Sequence, residues 1–352
     1  MRLTLLIPEL IWPEPRDTAA LDDLACPALE TLLTRGACSR HARDGSNFDT
    51  AIAAAFGLPE NAPYAALRLL GEEIDGLVPA AHHWACADPV HLRFHQERLI
   101  LADGTTLGVN TEEAAQLTAT LNTHFADIGT FHAATAERWY LRLATAADFQ
   151  TPPLSAMAGR RIEQMLPEEA GTAWLRRLLN EAQMLLHSHA GNEARADAGR
   201  LTINSLWLWG PGQLPQGLHT DFSSVWADHP LPRGLARCAG AACHDTPASY
   251  AELAAARPGE RPLVVIDTLL GAVHYEDADA WRAGLQALEA DWFAPLAKAI
   301  RAGDLTLDLR ASTRYGMLSW QVKRGDLWRF WQRPQTLAAL AQHLADASRP
   351  AA

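Results

Sequence analysis

The 352-residue sequence has no CxxC pair, no Walker-type glycine loop leading into Lys and Ser or Thr, no repeat period and no apolar stretch of membrane-spanning length, about 18 residues. Those absences exclude a zinc ribbon, a P-loop nucleotide site, a solenoid and a spanning helix. Cysteine is scarce: Cys26, Cys38, Cys86, Cys238 and Cys243 are odd in number and scattered, which reads as reduced thiols rather than a disulfide framework. The opening run MRLTLLIPELIW is apolar, but Pro8 and Glu9 break it before it takes signal-peptide form. Cation is also short, with 30 Lys and Arg against 41 Asp and Glu and a formal charge of -11. The average field therefore repels phosphate polymers and anionic membranes, leaving room only for a local basic pocket. These features predict a cytoplasmic protein with neither nucleic acid nor membrane as partner.

What the chain does have is apolar mass. Hydrophobic residues make up 48% of it, and a chain of this size buries roughly 75% of the surface it exposes when unfolded. Twelve tryptophans are many, and core packing accounts for most of them. Trp209, Trp328 and Trp331 stay open between core and surface; exposed, they would favour a scaffold that binds another chain.

Leu3 to Ile7 reads as a buried strand, followed by a helix over Pro27 to Arg35 that stops at Gly36. Residues 49–56 and 65–74 have helical apolar spacing, while Val90, Leu92 and Phe94 alternate as in a strand. Asn110 with Glu113 makes a helix-start box. Arg138 to Leu143 alternates again, and Pro167 to His189 is amphipathic, ending in a polar connection that marks an internal boundary. Strands are expected at 203–209, 263–266, 305–309 and 317–322, a long helix over 279–300 with a kink at Pro295, and a closing helix at 336–345. Alternating strands and helices predict an α/β fold with a mainly parallel sheet flanked by helices, whose ligands sit at the carboxyl ends of strands.

Four segments carry candidate chemistry. HHWACADPVHLRFH, residues 82–95, holds four His, a Cys and an Asp, but alternation and Pro89 favour the polar side of a strand over a metal site. In LWLWGPGQLP, residues 206–215, an apolar strand runs into a Gly-Pro-Gly turn. GAVHYED, residues 271–277, gathers His274, Glu276 and Asp277 after a strand ending in Asp267, donors of the kind divalent metals use or simply the acids of a helix start. DGSNFD, residues 44–49, sets Ser46 beside a glycine just before a helix, as a cap or as a nucleophile held near helix-terminal amides.

Taken in order, CPALETLLTRGA (26–37), GSNFDTAIAAAFGLP (45–59), LADGTTLGVNTEEAAQL (101–117), RWYLRL (138–143), WLWGPGQLP (207–215) and VHYEDADAWRAGLQALEADW (273–292) resemble the archaeal-type cofactor-independent phosphoglycerate mutases of the alkaline phosphatase superfamily. Within them the chain resembles the branch labelled RpfE-type regulatory protein. The resemblance implies an alkaline-phosphatase-like core over 1–76 and 201–352 with a smaller α+β domain inserted at 77–200. It implies phosphoryl transfer with Ser46 as nucleophile on two divalent metals, Mn or Zn, whose candidate ligands are Glu9, Asp267, His274, Glu276 and Asp308.

Several positions depart from that pattern. Pro8 and Glu9 stand where the opening strand should deliver an Asp, Asn47 where an Asp should follow the nucleophile, Leu270 four residues before His274 where an Asp should stand, and Leu309 where a His should follow Asp308. Two readings follow. In the first the chain is a relative that has lost the metal pair and binds a small phosphorylated metabolite or a protein partner as a regulator. In the second it is a working metal-dependent phosphoglycerate mutase or phosphomonoesterase with rearranged ligands.

Overall fold

The computed structural model describes residues 1–41, 47–95, 98–158, 161–162 and 173–348. In chain order its strands are β1 (Arg2–Leu6), β2 (Ala37–His41), β3 (His83–His95), β4 (Arg98–Ala102), β5 (Gly129–Ala133), β6 (Trp139–Leu143), β7 (Arg161–Ile162), β8 (Ser205–Gly212), β9 (Ser224–Trp226), β10 (Ala242–His244), β11 (Pro262–Val265), β12 (Thr306–Thr313) and β13 (Gly316–Val322). The chain divides into two compact units, Met1–Ile52 with His219–Ala352, and Ala53–Leu218. No helix among the described residues is long and apolar enough to cross a membrane.

The first unit carries a seven-stranded sheet in the order β10-β9-β11-β1-β12-β13-β2. From β10 to β12 every neighbouring pair is parallel, and β13 and β2 close the edge antiparallel. The mainly parallel sheet expected from the sequence is therefore this one. β1 lies at its centre, and Leu3, Leu5 and Leu6 are fully buried, as a strand covered on both faces requires.

Helix Pro27–Arg35 starts at the proline, where the missing N–H costs no bond. Its cap residue, Cys26, supplies no side-chain acceptor. Glu289 does so from another helix, taking the amides of Ala28 at 2.7 Å and Leu29 at 3.0 Å. Burial, with Glu289 and Glu30 adding to it, pushes the Cys26 thiol up to about 12, so it stays protonated and inert. The kink expected at Pro295 takes the form of a π-helical turn at Glu289–Phe293 between helices Ala278–Leu288 and Ala294–Ala302. Pro295 then falls in a first turn, where it breaks nothing.

The second unit holds a six-stranded sheet in the order β5-β6-β3-β4-β7, with β8 also paired to β3, and all its pairings are antiparallel. Asn110 and Glu113 form the capping box that their spacing predicts at the start of helix Thr111–His124. Glu113 also accepts Arg195 at 2.8 Å and Arg200 at 2.6 Å. The Gly-Pro-Gly segment proves to be the end of β8 rather than a turn after it. A Cβ on Gly210 would lie 2.6 Å from Tyr64 Cβ and one on Gly212 2.7 Å from Pro63 Cβ, and both glycines have positive φ. Their absence of side chain lets the strand meet the start of helix Tyr64–Glu72.

A charge network, fully buried at Arg68 and Asp88, ties that helix to the sheet. Asp88 on β3 receives both terminal nitrogens of Arg68, at 2.7 and 2.9 Å, the indole N–H of Trp209 at 2.8 Å and the backbone N–H of Trp139 at 3.2 Å. Arg68 Nε donates to Tyr140 Oη at 2.8 Å, and Tyr140 donates to Glu72, which also takes Arg138 in a two-pronged pair at 2.7 and 3.0 Å. Burial alone would depress the Arg68 guanidinium, but Asp88 overrides it and keeps it cationic. Residues 53–76 and 201–218, which the resemblance assigns to the core, thus group with the second unit, because Arg68, Glu72 and Trp209 satisfy their hydrogen bonds there.

Asp88→Ala strands a buried guanidinium and is expected to cost about 3–5 kcal/mol in urea unfolding, whereas Arg68→Met with Asp88→Leu costs less than Asp88→Ala alone. Glu113 gives a pH signature. Burial works against its ionisation, but the Asn110 amide, Arg195 and Arg200 outweigh it and hold the carboxyl below its ordinary value. Its stabilising contribution is complete above about pH 4.3, the unfolded value, and is lost as pH falls through the lower folded value. Glu113→Gln should therefore cost about 1–2 kcal/mol at pH 7 and progressively less below pH 4, read by urea unfolding at each pH.

Candidate functional site

In a parallel sheet every strand delivers its following loop to the same edge, so the chain beyond β1, β9, β10, β11 and β12 meets there. Beyond β1 the backbone keeps riding on β12, with Ile7 N–H donating to Arg310 O at 2.9 Å and Glu9 N–H to Ser312 O at 2.8 Å. Glu9 takes a left-handed conformation, φ 55°, and its side chain is buried. The indole N–H of Trp281 fixes it by donating to Glu9 O at 3.0 Å, and Trp281 packs on Trp12 with ring centroids 5.3 Å apart. A positive φ on a glutamate costs roughly 1 kcal/mol or more, and these bonds on either side of the residue hold it in place.

Asp267 follows β11 at the same edge. Ile266 N–H donates to Leu6 O at 3.0 Å, continuing the ladder with β1, and Asp267 O accepts Leu270 N–H at 3.0 Å. Burial pushes the Asp267 carboxyl above its ordinary value; its own backbone amide works against this, and the negative charge of Asp228 adds to the rise. A carboxyl held by a fixed cation shifts the other way, as Glu113 does.

Asp228 and His229, which follow β9, are the residues the sequence reading missed. Asp228 accepts Thr246 N–H at 2.9 Å, and His229 caps helix Pro230–Cys238 by accepting Leu231 N–H at 3.2 Å. The ring of His229 meets Phe48 edge-on at 4.7 Å. That contact brings the start of helix Phe48–Ala55 to this edge, where Asn47 accepts Thr50 N–H at 3.1 Å. Strand β9 has three residues, too few to show a period, and a helix-capping His ahead of a proline was the only signal available.

The predicted residues fare differently. Ser46, the candidate nucleophile, lies outside the described residues. Glu9 and Asp267 come to the carboxyl edge. His274 is buried at the end of the short helix Leu270–His274. Glu276 is an exposed turn residue with φ 55°, just ahead of Asp277, which caps the next helix. Asp308 pairs in register with Thr4, in the first half of β12, and is held by Arg310 at 2.7 Å with Arg2 at 4.0 Å. Ser312 lies four positions farther on, about 13 Å along a strand, so Asp308 does not reach the edge where Glu9 sits. What β12 brings there is Ser312 and Thr313.

A two-metal phosphoryl-transfer centre needs a dense set of carboxylate and imidazole donors around each ion. Among the described residues no three His, Cys, Asp or Glu side chains come close enough together to hold a metal ion. The described part of this edge therefore does not fit the metal pair.

No family model matches the chain. A 93-residue stretch is 33% identical to the probable 2,3-bisphosphoglycerate-independent phosphoglycerate mutase of Geobacter sulfurreducens, covering 25% of this chain and 23% of that protein. The chain thus aligns with about a quarter of the curated relative it matches. Among solved structures, the PH0037 protein from Pyrococcus horikoshii shares the fold at a TM-score of 0.55 and 14% identity, covering 99% of this chain and 96% of its own. The cofactor-independent phosphoglycerate mutase of Thermoplasma acidophilum aligns over 99% and 98% at 16% identity with a TM-score of 0.48. This chain therefore shares its α/β fold with the PH0037 protein, and about a quarter of it is similar in sequence to a probable phosphoglycerate mutase.

Proposed function

We propose that the protein is a phosphoglycerate-mutase-like chain that has given up the two-metal centre and works in the cytoplasm as a regulatory or binding protein, as the RpfE-type resemblance suggests. Its ligand is then a small phosphorylated metabolite or a protein partner. The observation that carries the reading is the donor set at the carboxyl edge. Ser312 and Thr313 close β12 there, Asp308 is tied to Arg310 lower on the strand, and the described donors make no group of three.

The chemistry follows from the charges. A serine hydroxyl is a poor nucleophile unless a base or a metal lowers its proton affinity. The competing reading, a working mutase or phosphomonoesterase, takes Glu9, Asp267, His274, Glu276 and Asp308 as rearranged ligands, of which Glu9 and Asp267 come to the carboxyl edge.

Elemental mass spectrometry of the purified chain, paired with phosphoglycerate mutase and phosphomonoesterase assays in added Mn²⁺ or Zn²⁺, separates the two. The proposal predicts far less than one metal per chain, no turnover, and no change on Ser46→Ala. About two metals per chain, with turnover abolished by Ser46→Ala, would establish the enzyme instead.

A further inference from the structure

Three of the large apolar side chains that the fold leaves exposed fall within one four-residue stretch. Trp328, Phe330 and Trp331 keep 63%, 79% and 68% of their full exposure, whereas Trp209 is 1% exposed. An isolated exposed aromatic needs no explanation, but three together form an apolar patch of a kind that folded chains rarely leave to water.

The segment that presents them joins β13 to helix Leu337–Asp346, and it is pinned rather than loose. Arg35 Nη1 donates to Leu327 O at 2.8 Å, Lys323 N–H donates to Asp326 at 2.9 Å, and Gln335 N–H donates to Thr34 Oγ1 at 2.9 Å. Arg329 closes an ion pair with Asp326 at 2.9 Å, and Leu327 is buried. Phe330 and Trp331 stand edge to face, 5.3 Å apart at 78°. Rings held this way lose little freedom on binding, which is the condition for a strong anchor.

Cations flank them in the sequence. Lys323, Arg324 and Arg333 are exposed, and the structure gives their charged heads no hydrogen bond or ion pair among the described residues. A chain of net charge -11 thus carries three unpaired cations in the same stretch of sequence as its exposed aromatics. Trp and Arg are the residue types that dominate protein-interface hot spots.

We propose that this aromatic and basic segment is a docking surface for a protein partner, which lays an acidic peptide with apolar anchors across it. The extent of the charge decides against other occupants. Screening limits the patch to a reach of about 8 Å, and beyond it a nucleic-acid strand or a bilayer would meet the net-acidic remainder of the chain. A short acidic segment meets the cations alone. A second copy docking its own segment symmetrically would set cation against cation. The surface supplies the partner for the binding role proposed above and rests on that reading; metal content tests that role separately, so either can fail without the other.

The test is fluorescence anisotropy of a labelled 12-residue synthetic peptide of Glu, Leu and Phe, with a Lys-for-Glu peptide as control, against the full chain. Binding is expected for the acidic peptide only, and it should weaken as salt rises. It should weaken by at least about tenfold in the triple variant Trp328→Ala, Phe330→Ala, Trp331→Ala, and again in Arg324→Glu with Arg333→Glu. Circular dichroism and thermal unfolding of both variants should match the parent, since the substituted side chains are exposed. Equal binding by parent and variants, or no binding of the acidic peptide, overturns the proposal. So does patch-dependent binding to phosphatidylglycerol vesicles or single-stranded RNA without the peptide, or a concentration-dependent dimer in sedimentation velocity that the triple variant abolishes.

Discussion

Parallel pairing of β1 between β11 and β12 is the constraint on which the first unit depends. Its register sets Thr4 opposite Leu263 and Asp308, and Leu6 opposite Val265 and Arg310. Once that register holds, the loops after β1, β9, β11 and β12 have no choice of edge. Glu9, Asp228, Asp267 and Ser312 follow from it, and so does the remoteness of Asp308, which lies on the same strand as Ser312 but on the wrong half of it. Among the described residues the donors at this edge make no group of three, and the sheet itself does not depend on them.

Much of this was legible in the residues. Apolar runs marked β1, β8, β11, β12 and β13, the Asn110 and Glu113 pair marked a helix start, and Pro27 and Gly36 bounded a helix the structure reproduces at Pro27–Arg35. What escaped was long-range. Periodicity cannot tell a parallel sheet from an antiparallel one, and the first unit's sheet is mainly parallel while the second's is antiparallel. Nor can it show that Arg68 on a helix will pair with Asp88 on a strand, which is what draws residues 53–76 into the second unit. The resemblance made Asp308 a candidate ligand; only the register shows that it pairs with Thr4 in the first half of β12, where Arg310 binds it.

The tryptophans divide for a physical reason that composition hides. Trp209 donates its indole N–H to Asp88 and sets its ring beside Arg68, 5.1 Å from the guanidinium carbon, so its burial leaves no polar atom wanting. Trp281 does the same with Glu9 O. Trp328 and Trp331 have no such pocket, and the polar bonds of their segment are made by its backbone and by Asp326, Arg35 and Arg329. A satisfied indole N–H accompanies the burial of Trp209 and Trp281, whereas Trp84 is fully buried with no partner for its own among the described residues, so ring burial and not polar satisfaction alone decides the core.

The proposed loss of the metal pair turns on the carboxyl edge, where the described residues bring no three donors together. Anomalous diffraction from crystals of the full chain grown in millimolar Mn²⁺, recorded at the manganese absorption edge, looks at that edge directly. No ordered peak is expected beside Glu9, Asp228 or Asp267. A pair of peaks within about 2–2.6 Å of those carboxylates would contradict the claim.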